Sequence, residues 1–323
     1  MTDLLARPPF DPELEAALAL VGDALPSTIT PEMIPLLREG SIVPGPSPQE
    51  VLAERGFVHR DVTIPGYEGD DIVVTVIHKE GRTGTGAGFF HTHGGGMIIG
   101  NRWLGVEGFL DWAERFNGVI VTVEYRLAPE FPDPYPVEDC YAALVWTAEH
   151  ADELGIDPAR LLIGGASAGG GLAAGTTLLA RDRRGPALVG QLLIYPMLDD
   201  RDETVSTRQI DGEGVWDRGS NLTGWTALLG DRRGTDDVSI YAAPARNTDF
   251  SNLPPAYIDA GSAEVFRDED VAYATKLWEA GVQAELHVFA GGFHGFDNFA
   301  PQAVVSQAMV AARDNWVNRL LGA

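Results

Sequence analysis

From about residue 58 onward, apolar residues fall in short blocks whose spacing predicts strands. Val62-Thr63-Ile64, Ile72-Val73-Val74-Thr75-Val76-Ile77 and Gly88-Phe89-Phe90-His91-Thr92-His93 read as three successive strands joined by turns. Beyond them the pattern alternates. Strands are predicted over 119–125, 161–165, 188–195, 256–260 and 284–289, and helices over 104–116, 138–151, 168–181, 268–280 and 304–321. Such apolar strands separated by helices imply an α/β fold, with a mostly parallel central sheet flanked by helices.

Two regions break this rhythm. The first 56 residues read as short helices. Asp11 caps one, with Pro12 at its first position and Leu14, Ala17, Leu18 and Val21 on one face. Thr30-Pro31 repeats the start signal, and Ser47-Pro48-Gln49-Glu50 is a capping box with Gly56 as the stop. The stretch from about 198 to 252 is polar and acidic, with one clear helix running from Ser220 through Leu222, Trp225 and Leu229. Neither region can bury an apolar face alone. Leu14, Leu18, Met33, Ile34 and Leu37 are therefore expected to pack on Trp216, Leu222 and Trp225 as a lid at the sheet edge.

Composition narrows the range of partners. Of 323 residues 45% are apolar, enough for a sizeable core, and no internal repeat is present. The net charge of −24 argues against nucleic acid or an anionic membrane, since both need basic surface. Lysine occurs only at 79 and 276. Cys140 is the sole cysteine, which rules out an intrachain disulfide and a cysteine-based zinc cluster. The stretch Met1 to Pro9 has no basic segment followed by an apolar one, and no run approaches a membrane span, so a cytoplasmic protein is expected.

The chemistry concentrates at Gly165-Ala166-Ser167-Ala168-Gly169, set between a predicted strand and a predicted helix. A G-x-S-x-G in that place is a sharp turn that lifts a serine hydroxyl clear of the sheet. Such a nucleophile needs a base, an acid to orient the base, and donors for an oxyanion. Upstream, His93-Gly94-Gly95-Gly96-Met97 follows a strand, and glycines there let backbone N–H groups approach a substrate oxygen. Downstream, His294 lies between glycines in Gly291-Gly292-Phe293-His294-Gly295-Phe296, after the last strand. Three carboxylates compete for the acid. Asp259 falls inside an apolar strand, Asp268 begins a helix, and Glu264 sits in the loop between, from which it can reach an imidazole. The order Ser167, Glu264, His294 then follows. Gly84-Thr85-Gly86-Ala87-Gly88 precedes a strand rather than a helix, which disqualifies it as a dinucleotide loop. His91 and His93 have no evident third ligand, so neither a metal nor a cofactor is expected.

Four blocks carry a resemblance: His93-Gly94-Gly95-Gly96; Tyr125-Arg126-Leu127-Ala128-Pro129-Glu130 with Glu138-Asp139-Cys140-Tyr141-Ala142; the serine turn; and Leu253-Pro254-Pro255 through Arg267-Asp268-Glu269 to His294-Gly295-Phe296. Together they resemble the hormone-sensitive-lipase-like (bacterial type IV) carboxylesterases of the α/β-hydrolase fold, over nearly the whole chain. The resemblance implies a serine carboxylesterase acting through an acyl-enzyme. Its catalytic residues would be Ser167, Glu264 and His294, and its oxyanion donors the N–H groups of Gly95, Gly96 and Ala168. It further implies a catalytic core of 57–197 and 253–323, with a helical cap made of 1–56 and the inserted 198–252. Two departures stand out: Ala166 replaces the usual Asp or Thr before the serine, and Glu264-Val265 replaces the usual Asp-Pro.

An enclosed pocket with Met97, Val265 and Trp216 near it predicts short- to medium-chain esters as substrates. Removing residues 1–40 is expected to loosen substrate selection more than it harms the triad. A lactonase or amidase could use the same groups, and homodimerisation stays open. A ligand-binding protein on this fold is disfavoured by the intact serine and histidine.

Overall fold

The computed structural model describes residues 5–21, 26–39 and 46–322. The Val21 side chain and residues Met1 to Leu4, named above, lie outside them. Eight strands form one sheet: β1 Phe57–Pro65, β2 Asp71–Lys79, β3 Gly86–Thr92, β4 Val119–Glu124, β5 Ile156–Ala166, β6 Gly190–Ile194, β7 Ala256–Gly261 and β8 Ala284–Phe289. Their order is β1-β2-β4-β3-β5-β6-β7-β8. β2 runs antiparallel to β1 and β4, and every other pairing is parallel. The mostly parallel sheet is therefore present, with its antiparallel part at one edge.

The helices are α1 Pro12–Val21, α2 Ile34–Glu39, α3 Pro48–Glu54, α4 Leu110–Arg115, α5 Tyr135–Glu149, α6 Ala151–Leu154, α7 Ala168–Asp182, α8 Val205–Gln209, α9 Arg218–Leu229, α10 Arg267–Glu279, α11 Phe296–Phe299 and α12 Val304–Leu321. Two of the three N-terminal start signals form side-chain caps, while Thr30, ahead of the 3₁₀ turn Pro31–Met33, makes no side-chain cap bond. Asp11 Oδ1 accepts the Glu13 N–H at 2.9 Å, and Ser47 with Glu50 closes the capping box of α3. α7 is the helix on which the site depends. All its residues from Ala168 to Ala180 are buried, and it packs on β3, β5, β6 and α5. Its small residues permit that approach: a Cβ on Gly169 would lie 2.1 Å from the Thr92 carbonyl oxygen. Burial of Leu172, Leu178 and Leu179 then contributes about 1.5–3 kcal/mol each.

The N-terminal helices divide between two neighbours. Ile29 and Ile34 share a core cluster with Trp216 and Trp225, and the Ile29 N–H donates to Ser220 Oγ at 2.8 Å. Leu14 and Ala17 do not join them. They pack with Phe10, Phe293, Phe296 and Met309, because the Asp11 N–H is held by the Gly291 carbonyl at 3.1 Å. The expected contact with the inserted segment is thus made by residues 28–34, while α1 backs the loop that carries His294. Among the described residues, no helix is long and apolar enough to cross a membrane.

Candidate active site

The serine turn is strained, the conformation expected of Gly165-Ala166-Ser167-Ala168-Gly169 between strand and helix. Ser167 has φ 60° and ψ −124°, far from the ordinary wells of a non-glycine residue, and it leads directly into α7. Three bonds hold it there. Its N–H donates to the Ile194 carbonyl at 2.9 Å, while its own carbonyl accepts from Met197 N–H at 2.9 Å and from Gly171 N–H at 3.0 Å. The end of β6 therefore grips the elbow from both sides.

His294 Nε2 lies 2.9 Å from Ser167 Oγ, and His294 Nδ1 lies 2.7 Å from Glu264 Oε2. A carboxylate only accepts, so Nδ1 carries the hydrogen and Nε2 presents its lone pair to the serine hydroxyl. The second oxygen of Glu264 accepts the Gly261 N–H at 2.6 Å. Glu264 is almost completely buried, and Ser167 and His294 are each 8% exposed. The loops bearing acid and base are stitched together by Ala263 N–H to Gly292 O at 3.0 Å, Ser262 N–H to Phe289 O at 2.8 Å and Gly291 N–H to Ser262 Oγ at 2.8 Å. Phe266 and Tyr195 meet the imidazole edge-on, with ring centroids 5.0 and 4.9 Å away.

Facing the elbow is the glycine loop. Gly95 has φ +108°, and a Cβ there would lie 2.1 Å from the Ile99 carbonyl oxygen, so only glycine fits. The Gly95 carbonyl accepts from the N–H groups of Ile98 and Ile99 at 3.0 and 2.9 Å. Among the described residues, no acceptor takes the N–H of Gly95, Gly96 or Ala168. His93 braces the loop from behind. It stacks on Tyr125 at 4.1 Å, its carbonyl accepts the Tyr125 hydroxyl at 2.8 Å, and its Nδ1–H donates to the Gly94 carbonyl at 2.8 Å. Burial lowers His93 to about 4, and burial with the neighbouring His93 lowers His91 to about 3, so both rings are neutral scaffolding.

The remaining sequence candidates have clear places. Asp259 is buried in an ion pair with Arg313, with Nε 2.6 Å from Oδ2, and burial raises its pKa. Asp268 accepts the Ser206 N–H at 2.8 Å. Neither is bonded to His294. Met97 and Val265 are fully enclosed, and the Trp216 indole lies against the glycine loop, where a Cβ on Gly96 would sit 2.2 Å from its ring. A separate apolar groove of about 440 Å³ runs between α2, α9 and Pro129, and none of the three relay side chains lines it. The sequence reading missed Tyr195, Phe266 and the Gly261 N–H. Tyr195 was readable only as the last residue of a strand, and a backbone donor leaves no signal in side-chain identity.

A family profile described as alpha/beta hydrolase fold matches residues 89–298. Carboxylesterase NlhH of Mycobacterium tuberculosis is 35% identical over 300 residues, covering 92% of this chain and 91% of that protein. Among solved structures, a bacterial heroin esterase superposes with TM-score 0.84 at 38% identity, covering 97% of this chain and 98% of that one. Esterase LipW from Mycobacterium marinum superposes with TM-score 0.81 at 30% identity, covering 98% of each chain.

Proposed function

The chain belongs to the hormone-sensitive-lipase-like family of α/β-hydrolases and is a carboxylic ester hydrolase, and on that premise we propose that Ser167 is its nucleophile. His294 Nε2 takes the Ser167 proton as Oγ attacks the ester carbonyl carbon. Glu264 holds the ring in the tautomer that can do so and stabilises the imidazolium that forms. The tetrahedral oxyanion is received by the free N–H groups of Gly95, Gly96 and Ala168. His294 then returns the proton to the leaving alkoxide oxygen, and the alcohol departs from an acyl-Ser167 ester. Water, deprotonated by His294, attacks that ester; its collapse releases the carboxylic acid and restores the serine.

The observation that carries this reading is the unbroken relay from Ser167 Oγ through His294 to Glu264, at 2.9 and 2.7 Å. The burial of Ser167 and the packing of the Trp216 ring on the glycine loop support short- to medium-chain acyl groups as the preferred substrates. It also supports a cap assembled from the inserted 198–252 and the segment around residues 28–34. A fluorophosphonate should form one adduct per chain, at Ser167, with loss of ester hydrolysis. An adduct on another residue, or full activity in Ser167→Ala, refutes the assignment.

A further inference from the structure

Tyr195 lies between the two backbone contacts that hold the serine, because Ile194 accepts the Ser167 N–H and Met197 donates to its carbonyl. It has left the regular strand conformation, with φ +34°, a value that an ordinary side chain adopts only when its surroundings impose it. The surroundings here can be named. Its N–H donates to the Asp259 carbonyl at 2.9 Å and lies 3.2 Å from Asp259 Oδ1. Its hydroxyl lies 3.1 Å from Asp297 Oδ1 and accepts from Asn298 Nδ2 at 3.0 Å. The two carboxylates are joined by one guanidinium. Arg313 donates through Nε to Asp259 Oδ2 at 2.6 Å and through Nη1 to Asp297 Oδ2, and it is itself only 6% exposed. Residue 195 is thus fastened at its backbone and at its hydroxyl by a single buried ring of bonds. The aromatic ring between those fastenings meets His294 edge-on at 4.9 Å.

We propose that Tyr195 is a positioning residue of the hydrolytic reaction, fixing the Ser167 elbow through its backbone and the His294 imidazole through its ring, and that Arg313 acts through it by pinning both its ends. The proposal rests on the Ser167–His294 assignment. An ion pair whose function was only to cement α12 to the sheet would not need the tyrosine hydroxyl or a positive φ next to the nucleophile. The relay tolerates little misplacement, since a shift of about 1 Å in reacting groups costs on the order of 100-fold in rate.

The test compares Tyr195→Ala, Tyr195→Phe and Ser167→Ala on a short-chain nitrophenyl ester, with kcat counted per active site titrated by a phosphonate. Tyr195→Ala is expected to lose about 10–100-fold in kcat with KM changed less than about threefold, because the substrate contacts stay and the relay loosens. Tyr195→Phe keeps the ring and the backbone tether and is expected to recover most of that loss. A purely structural role would lower the melting temperature and the titratable fraction but leave kcat per site unchanged. A folded Tyr195→Ala with kcat within about twofold of the parent overturns the proposal, as does a loss confined to KM. Should the alanine variant fail to fold, Tyr195→Leu is judged by the same criteria. An inactive Ser167→Ala beside a fully active Tyr195→Ala sinks this inference alone, whereas an active Ser167→Ala sinks the nucleophile assignment.

Discussion

Replacing Glu264 by glutamine changes one heavy atom and leaves the volume nearly intact, yet both carboxylate oxygens are in use. Oε2 accepts the His294 Nδ1–H at 2.7 Å and Oε1 accepts the buried Gly261 N–H at 2.6 Å. A glutamine has one acceptor for these two donors. If its carbonyl serves Gly261, its NH₂ faces Nδ1 and forces the imidazole into the tautomer with hydrogen on Nε2, which cannot accept the Ser167 proton. If its carbonyl serves His294, the NH₂ confronts the Gly261 N–H, and a buried donor pair is left unsatisfied at about 1–3 kcal/mol. Either arrangement also removes the charge opposite the imidazolium of the transition state. The expected loss is about 10⁴-fold in kcat, the size of the effect when a triad acid no longer sets the tautomer. That corresponds to about 5.5 kcal/mol of barrier. Steady-state hydrolysis of a short-chain nitrophenyl ester, with the titratable fraction measured alongside, gives the number. A folded Glu264→Gln that keeps kcat within about tenfold would show that the tautomer argument is wrong.

Three other outcomes are expected. Asp259→Asn should destabilise the fold by about 1–3 kcal/mol, because the buried Arg313 keeps Asp297 as its only charged partner, while kcat per titrated site falls far less than in Glu264→Gln; a thermal melt and an active-site titration separate the two. Asp270 is buried with both carboxyl oxygens unpartnered, and burial together with the neighbouring Glu269, Glu264 and Asp259 raises it well above its ordinary range. The unfolded chain therefore loses that proton as pH rises past about 4 while the folded chain keeps it, which costs about 1.4 kcal/mol of stability per pH unit until the folded group also ionises. Asp270→Asn should accordingly stabilise more at pH 8 than at pH 5, and an equal shift in melting temperature at both would refute this. Finally, kcat/KM should rise from acetyl to a short acyl chain by about 0.8 kcal/mol per added CH₂ while room remains and then fall; equal turnover of butyrate esters and emulsified long-chain triglycerides would contradict an enclosed pocket.

What could be read from the sequence followed burial. β7 is buried throughout and β8 is mostly half-buried, and both were located to within a residue from their apolar residues. β1 runs over Phe57–Pro65, but most of its side chains are exposed because it pairs with β2 alone, so only Val62-Thr63-Ile64 gave a signal. β5 begins at Ile156, which pairs with Gly86 ahead of the apolar run, while Asp157 to Arg160 lie in a break of register and are at most half-buried, so they carry no apolar signal. The stretch expected as one helix over 104–116 is a 3₁₀ turn, Val106–Phe109, followed by α4. In the site, Ser167, Glu264 and His294, which the fold brings within hydrogen-bonding distance, were visible because each is marked by its side chain and by the glycines or strand ends around it. Tyr195 was hidden, since its role depends on a backbone turn and on Arg313, both set by tertiary contacts.

The contact of Asp11 with Gly291 has a meaning for how the enzyme comes into being. The Asp11 N–H holds the Gly291 carbonyl, and Phe10 meets Phe293 edge-on at 5.8 Å, one residue before the histidine. Removing residues 1–40 would therefore also take a contact from the His294 loop, which weighs against the expectation that such a truncation loosens substrate selection more than it harms the triad. Early and late parts of the chain must meet for His294 to be seated, so a nascent polypeptide remains inert until residues beyond 291 have left the ribosome. During refolding, the same closure spans residues 11 to 291, and its entropy is repaid only after the intervening sheet has brought the two segments close. Ester hydrolysis should then be the last property to return, later than the far-ultraviolet signal of the sheet and helices.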